Sequence, residues 1–153
     1  MILTPNSQAQ LSTLDLAGSF AGLMDLYERN YILIRRLVPD MPAQPGHYVS
    51  QIKEGLALHL ELIERFPYTT ELMLTYVFDR DNHQQTEPDL RLRVYHDARL
   101  AEVMEAHLRH WPRFSADQDD SNDTRLRSRW HVNRFLYKWL SYCVYQGHRF
   151  RFD

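Results

Sequence analysis

The sequence predicts an α+β fold: an N-terminal helix, a four-stranded antiparallel meander, then a short helix and a long C-terminal helix packed on one sheet face. Three observations predict it. Apolar residues repeat at about 3.6 positions from Leu16 to Leu37 and again from Val132 to Cys143. Between these stretches the repeat switches to two, most plainly at Leu56, Leu58, Leu60 and Leu62. The strands follow one another without an intervening helix, two of their three connections are short, and such a run favours a meander covered by helices.

Residues 1–15 are polar and aperiodic and read as a loose lead-in to a single domain over residues 16–150. Leu16, Phe20, Leu23, Tyr27, Ile34 and Leu37 then share one helical face, with Ser19 a candidate cap. Pro39 ends the run, and the breakers from Asp40 to Gly46 make a loop. Tyr48 to Lys53 is a short strand, and Glu54-Gly55 a tight turn. Leu56 to Ile63 is a half-buried strand, and the next bend falls at Phe66-Pro67-Tyr68-Thr69, because Pro67 has no N–H to give a ladder. Leu72 to Phe78 and Leu90 to Val94 are the third and fourth strands, joined by a polar loop over Asp79 to Asp89. Asp97 is placed to cap a short helix in which Leu100, Val103, Met104 and His107 share a face; a strand over residues 101–108 is the weaker alternative. Asp117 to Asp123 reads as a mobile acidic loop. The last helix runs from about Ser128 to Gln146, with Val132, Phe135, Leu136, Trp139, Leu140 and Cys143 as its apolar stripe and Gly147 as its stop.

A length of 153 residues is enough to bury a core without a metal or a disulfide. The net charge of −2 gives no general attraction for polyanions, so nucleic-acid binding is not expected. The single cysteine, Cys143, has no intramolecular partner, which suits a reducing compartment. No apolar stretch is long enough to span a membrane, and the first fifteen residues lack a signal-peptide pattern, so the expected location is cytoplasmic.

The most suggestive cluster of chemical groups is Tyr95-His96-Asp97, set at the end of a strand, where functional side chains often converge. Against this stand the ordinary roles of His96 as a packed strand residue and Asp97 as a cap. Asn30 lies within the first helix's apolar stripe and needs a partner, expected to be strand or loop backbone; the alternative is a polar group lining a pocket with Tyr27 and Glu28. Arg35, Arg91 and Arg93 are candidates to hold a phosphate, and His59, Glu61 and Arg91 alternate with the leucines onto a second sheet face. No metal and no cofactor is expected. His107 and His110 are three apart, but no HExxH or Cys/His pattern supports zinc, the acidic loop lacks an EF-hand's closing Glu, and no glycine-rich phosphate loop or nucleophile elbow is present. Arg127, His131, Arg134 and Lys138, with Arg125, Arg129 and Trp130 nearby, form a basic face on the last helix, read as mainly solvated.

Four ordered segments are also similar to a known family. Phe20-Ala21-Gly22-Leu23-Met24 with Glu28, Asn30, Arg35-Arg36-Leu37 and Pro39 is the first, and Tyr68-Thr69-Thr70 the second. Tyr95-His96-Asp97-Ala98 with Ala101-Glu102-Val103 is the third. Asn133, Phe135-Leu136, Trp139-Leu140, Tyr142-Cys143 and Gly147 complete the set. Together they resemble the YqiB-like bacterial proteins. The resemblance implies a small bacterial cytoplasmic protein and no particular activity. One departure is Arg127-Ser128-Arg129, where the family pattern leads one to expect acidic residues before the last helix.

Two readings follow. The first is a non-catalytic binding or regulatory module for a small molecule or a protein. The second is a small enzyme that uses Tyr95, His96 and Asp97 on a phosphate-bearing ligand held near Arg35, Arg91 or Arg93. Convergence of those groups in one pocket separates the two. Oligomeric state is not encoded in any of these patterns.

Overall fold

A computed structural model describes residues 18–109, 111–117 and 122–152. The lead-in, His110 and most of the acidic segment expected to be a loop lie outside the described residues.

Helix α1 spans Phe20–Leu37. The Ser19 hydroxyl accepts the Gly22 N–H at 3.1 Å, which caps the first turn as its sequence predicts. Arg35 and Arg36 sit in the last turn, where cations suit the carbonyl end of the helix. The buried stripe runs from Leu23 through Tyr27, Asn30 and Ile34 to Leu37. Phe20, expected on that stripe, is 67% exposed, because the packed face begins one turn later.

Six strands form one sheet in sequence order, each antiparallel to its neighbour. They are β1 (Gly46–Ser50), β2 (Leu58–Arg65), β3 (Thr69–Arg80), β4 (His83–Tyr95), β5 (Leu100–His107) and β6 (Phe114–Ser115). The four expected strands correspond to β1 to β4, with shifted ends. Glu54 and Gly55 do lie in the β1–β2 connection, but it runs over residues 51–57. Gly55 has φ +143°, and a Cβ there would sit 2.7 Å from Ile52 Cδ1, so glycine is required. The bend after β2 is where Pro67 predicts it, closed by the Phe66 N–H donating to the Thr69 carbonyl at 2.8 Å.

The polar stretch from Asp79 to Asp89 is not a loop. It is the tip of the β3–β4 hairpin, turned by Asp81 and Asn82 alone, both at positive φ. Residues 83–86 of β4 are exposed, so no alternation of apolar residues announces them. Leu100 to His107 is not a helix but strand β5. Its register explains the error. Arg91 pairs with Glu105 and Leu92 with Val103, so Met104 is an extra, bulged residue. The bulge buries Val103 and Met104 side by side, and the resulting spacing of Leu100, Val103, Met104 and His107 mimics a helical face. Asp97 therefore caps nothing. It lies in the turn between β4 and β5, and its Oδ1 accepts the N–H of Ala98 at 2.9 Å.

Helix α2 spans Asn122–Tyr145, so it begins six residues before the expected Ser128 and takes up the end of the supposed acidic loop. Arg127-Ser128-Arg129 lies inside it. Val132, Leu136, Trp139, Leu140 and Cys143 are buried as expected, with Phe135 partly so. Gly147 ends the helix at φ +97°: its N–H donates to the Val144 carbonyl and the His148 N–H to the Cys143 carbonyl. The tail then runs between α1 and β1, with the Phe150 N–H on the Leu37 carbonyl at 2.8 Å and the Arg149 N–H on the Ser50 hydroxyl at 3.1 Å.

The core is the alternate set of strand residues, such as Leu60, Leu72, Leu74, Leu90 and Leu92, packed on Ile34 and Leu37 of α1 and Leu136, Leu140 and Cys143 of α2. Both helices thus cover one face. The other face carries His59, Glu61, Glu71, Arg91 and Arg93, as the alternation in β2 and β4 predicts. Among the described residues, no helix is long and apolar enough to cross a membrane.

Candidate functional site

Consecutive strand residues point to opposite faces, and this divides the Tyr95-His96-Asp97 triplet. The Tyr95 hydroxyl donates to Glu102 Oε1 at 2.6 Å. Burial raises its pKa first, and the neighbouring Glu102 adds to this, so it is a protonated phenol. His96 turns toward the helices. Its Nε2 lies 2.7 Å from the hydroxyl of Thr70, a fully buried residue, and its N–H donates to the Tyr68 carbonyl at 2.8 Å. Asp97 is exposed in the turn. The three groups do not converge.

His96 instead lines a cavity of about 280 Å³ with Arg35, Arg65, Ile34, Val94 and Met41. Arg35 comes from the last turn of α1 and Arg65 from the end of β2. Arg65 Nη1 donates to the carbonyls of Met41 (3.1 Å) and Pro42 (3.0 Å), which fastens the α1–β1 loop and fixes the guanidinium. Burial, then Arg65 and Arg35, push the His96 pKa below the ordinary imidazole range, while Asp97 opposes them. His96 is therefore neutral at pH 7. Asp40 is the carboxylate on the rim. The carbonyl end of α1 is nearby but occupied: Ile34 O accepts from the Val38 N–H and Leu37 O from the Phe150 N–H. Chemically, two guanidinium groups and an imidazole around a small cavity suit one anionic group.

The other candidates are placed elsewhere. Arg93 donates to Glu71 at 2.6 Å, and Arg91 lies 3.6 Å from Glu71 and 3.3 Å from Glu105, so both belong to a charge ladder on the open face. Arg129 joins it from α2, 3.6 Å from Glu102. Glu28 is exposed, away from buried Tyr27 and Asn30. Asn30 does bond backbone, but of α2 and not of a strand or loop: its Nδ2 donates to the Asn133 carbonyl at 3.2 Å. Asn133 holds the strand, accepting the Val103 N–H at the β5 bulge at 3.0 Å. Cys143 is buried, its thiol lies 3.4 Å from the Tyr76 hydroxyl, and burial pushes its pKa up to about 11, which makes it a poor nucleophile. Arg127, His131, Arg134 and Lys138 are exposed on α2, with Arg134 over the Trp130 ring at 5.3 Å.

Arg65 and Thr70 are the residues of the cavity that sequence reasoning missed. Arg65 ends a strand with no motif about it. Thr70 stood in the Tyr68-Thr69-Thr70 segment, but only strand pairing brings it to His96, 26 positions further along the chain.

The fold and the cavity define a small α+β protein with a six-stranded antiparallel meander, two covering helices and a basic cavity at one sheet end. The chain belongs to a family described as a protein of unknown function (DUF1249), whose model matches residues 33–149. Among its relatives are the uncharacterised YqiB proteins of Escherichia coli K12 and of Escherichia coli O157:H7. Each is 33% identical over 130 residues, covering 84% of this chain and 90% of the relative. No solved structure matches the chain.

Proposed function

We propose that the protein is a non-catalytic binding module whose ligand places an anionic group, a phosphate or a carboxylate, among Arg35, Arg65 and His96. The observation that supports this is their convergence on one cavity from α1, β2 and the end of β4. An enzyme working through Tyr95, His96 and Asp97 is the weaker reading, since the Tyr95 hydroxyl is held by Glu102 while His96 faces the helices. The reaction would need groups that share no pocket.

The test is thermal unfolding with inorganic phosphate, against chloride of equal ionic strength, at pH 7.5. A ligand at 100 times its dissociation constant adds about 2.7 kcal/mol. The expected result is a phosphate-specific rise in melting temperature, lost in Arg35→Gln, whose own melting temperature is normal. Equal effects of phosphate and chloride, or an undiminished response in Arg35→Gln, would overturn the proposal.

A further inference from the structure

At the far end of β5 from His96 lies a second and larger cavity, of about 510 Å³. It opens between the end of β5, the connection to β6, and the first half of α2. Its size falls within the roughly 300–1,000 Å³ of small-molecule sites. Its walls divide by chemistry. Leu108, Phe114, Val132 and Trp111 supply an apolar side, and Leu108 and Val132 are core residues at 7% and 3% exposure. Arg113, Arg125 and Arg129 supply the other, with no aspartate or glutamate among the lining residues. The fold accounts for part of this basic side: Arg129 lies 3.6 Å from Glu102 and donates to the Ala116 carbonyl at 2.8 Å, which ties α2 to the segment after β6. Arg113 is different, being 74% exposed at its side chain and 3.8 Å from Glu105. Trp111 is 49% exposed, although its ring is within stacking range of Phe135 at 5.8 Å.

We propose that this cavity is a binding site for an amphipathic organic anion, with an aromatic or acyl body against Leu108, Phe114 and Val132 and a carboxylate, sulfonate or phosphate head at the arginines. Glu102 and Glu105 stand beside two of the arginines but outside the lining, so the lining itself presents guanidinium and apolar groups, which disfavour a cation and give a neutral apolar molecule no reason to orient. An anion with an apolar body satisfies both sides at once. The concave shape favours a small molecule over a nucleic-acid strand, although the exposed basic residues of α2 begin beside it. The site is separate from the one at His96 and stands or falls without it.

The test titrates the protein with anilinonaphthalene sulfonate, an aromatic anion that brightens in apolar surroundings, and with neutral phenylnaphthylamine of nearly the same shape. The expected result is saturable binding of one anionic probe per chain, with quenching of tryptophan emission that is reduced in Trp111→Phe. The neutral probe should bind at least about tenfold more weakly, as should the anionic probe to Arg113→Glu. Ser128→Trp, which fills the cavity from α2, should abolish binding, and an unchanged melting temperature in each variant shows that the fold is kept. Equal affinity for the neutral probe overturns the anionic class. Binding that survives Ser128→Trp overturns the location. A labelled oligonucleotide that displaces the probe, with steep salt dependence, overturns the small-molecule assignment in favour of a nucleic-acid surface.

Discussion

Asn30 and Asn133 are both fully buried and lie against one another, yet their replacement by leucine should have unequal consequences. Asn133 Oδ1 takes the Val103 N–H beside the extra residue of β5, where the ladder to β4 slips. A bulge of this kind leaves a backbone donor unserved by the neighbouring strand, and the helix side chain serves it. Asn133→Leu orphans that N–H in the core, a loss of about 1–3 kcal/mol. Its other bond, from Nδ2 to the Arg129 carbonyl at 2.8 Å, goes to a helix carbonyl and adds little. Asn30 Nδ2 likewise donates to a helix carbonyl, and its Oδ1 is buried with no hydrogen-bond partner among the described residues. Asn30→Leu thus loses one bond worth about 0.5–1.5 kcal/mol and removes an unsatisfied oxygen of similar or greater cost. The same side-chain change is made at two sites of equal burial, so the packing terms largely cancel.

Asn133→Leu should therefore lose about 2 kcal/mol, which for a chain of this length lowers the melting temperature by about 4–8 °C. Asn30→Leu should stay within about 1 kcal/mol of the parent protein. Urea unfolding read by far-ultraviolet circular dichroism measures both, and equal slopes confirm that only stability has changed. Hydrogen exchange should accelerate at the Val103 amide in Asn133→Leu alone. If Asn30→Leu proves the more damaging change, the assignment of the bulge donor to Asn133 is wrong.

Three further outcomes are expected. Trp139, 8% exposed and edge-on to Tyr76 at 5.6 Å, should cost about 3–5 kcal/mol on replacement by alanine, whereas exposed Lys138→Ala should cost almost nothing; denaturant midpoints compare them. Asp97→Asn and Asp97→Ala should both melt normally, because no helix follows for Asp97 to cap; a loss near 1 kcal/mol in the alanine variant alone would restore the cap. His59, His96 and His148 all have pKa values lowered chiefly by burial, so the unfolded chain binds their protons first on acidification. Their stabilisation is complete above pH 6.5 and is lost as pH falls through that value toward the folded-state pKa values. Melting scans from pH 8 to 5.5 should show a decline, lessened in His148→Gln if that buried ring contributes.

How much was legible depended on whether burial left a periodic trace. Leu58, Leu60 and Leu62 are almost fully buried and alternate without interruption, so β2 could be read directly. In α1 the cap, the stripe and the stop at Pro39 agree with one another. The hairpin arms at Asp79 and His83 are solvated on both faces, so only ladder hydrogen bonds make them strands, and a single sequence does not display those. At β5 the failure was of another kind. One bulged residue moved Met104 onto the buried face, and two adjacent buried residues are a helix signal. The cavity at His96 was half legible: the histidine and Arg35 stood out, but Arg65 and Thr70 become its neighbours only through the pairing of β2 with β3 and of β3 with β4.

The division between Tyr95 and His96 bears on how any site in this fold is assembled. Along a strand, neighbours in sequence face opposite ways, so a run of reactive residues there supplies one group to each of two environments. Tyr95 joins the charged ladder of Glu71, Arg91, Arg93 and Glu102; His96 joins Arg35 and Arg65 around the cavity at the end of the first helix. The ladder and the cavity at His96 share no residue, although Arg129 of α2 reaches the ladder at Glu102. Changes on the open face should therefore leave the pocket intact. Arg93→Gln breaks the 2.6 Å contact with Glu71, but the phosphate response assigned to Arg35 should persist at full size. Loss of that response in Arg93→Gln, with a normal melting temperature, would mean that the two faces act as one site and that the enzyme reading deserves to be reopened.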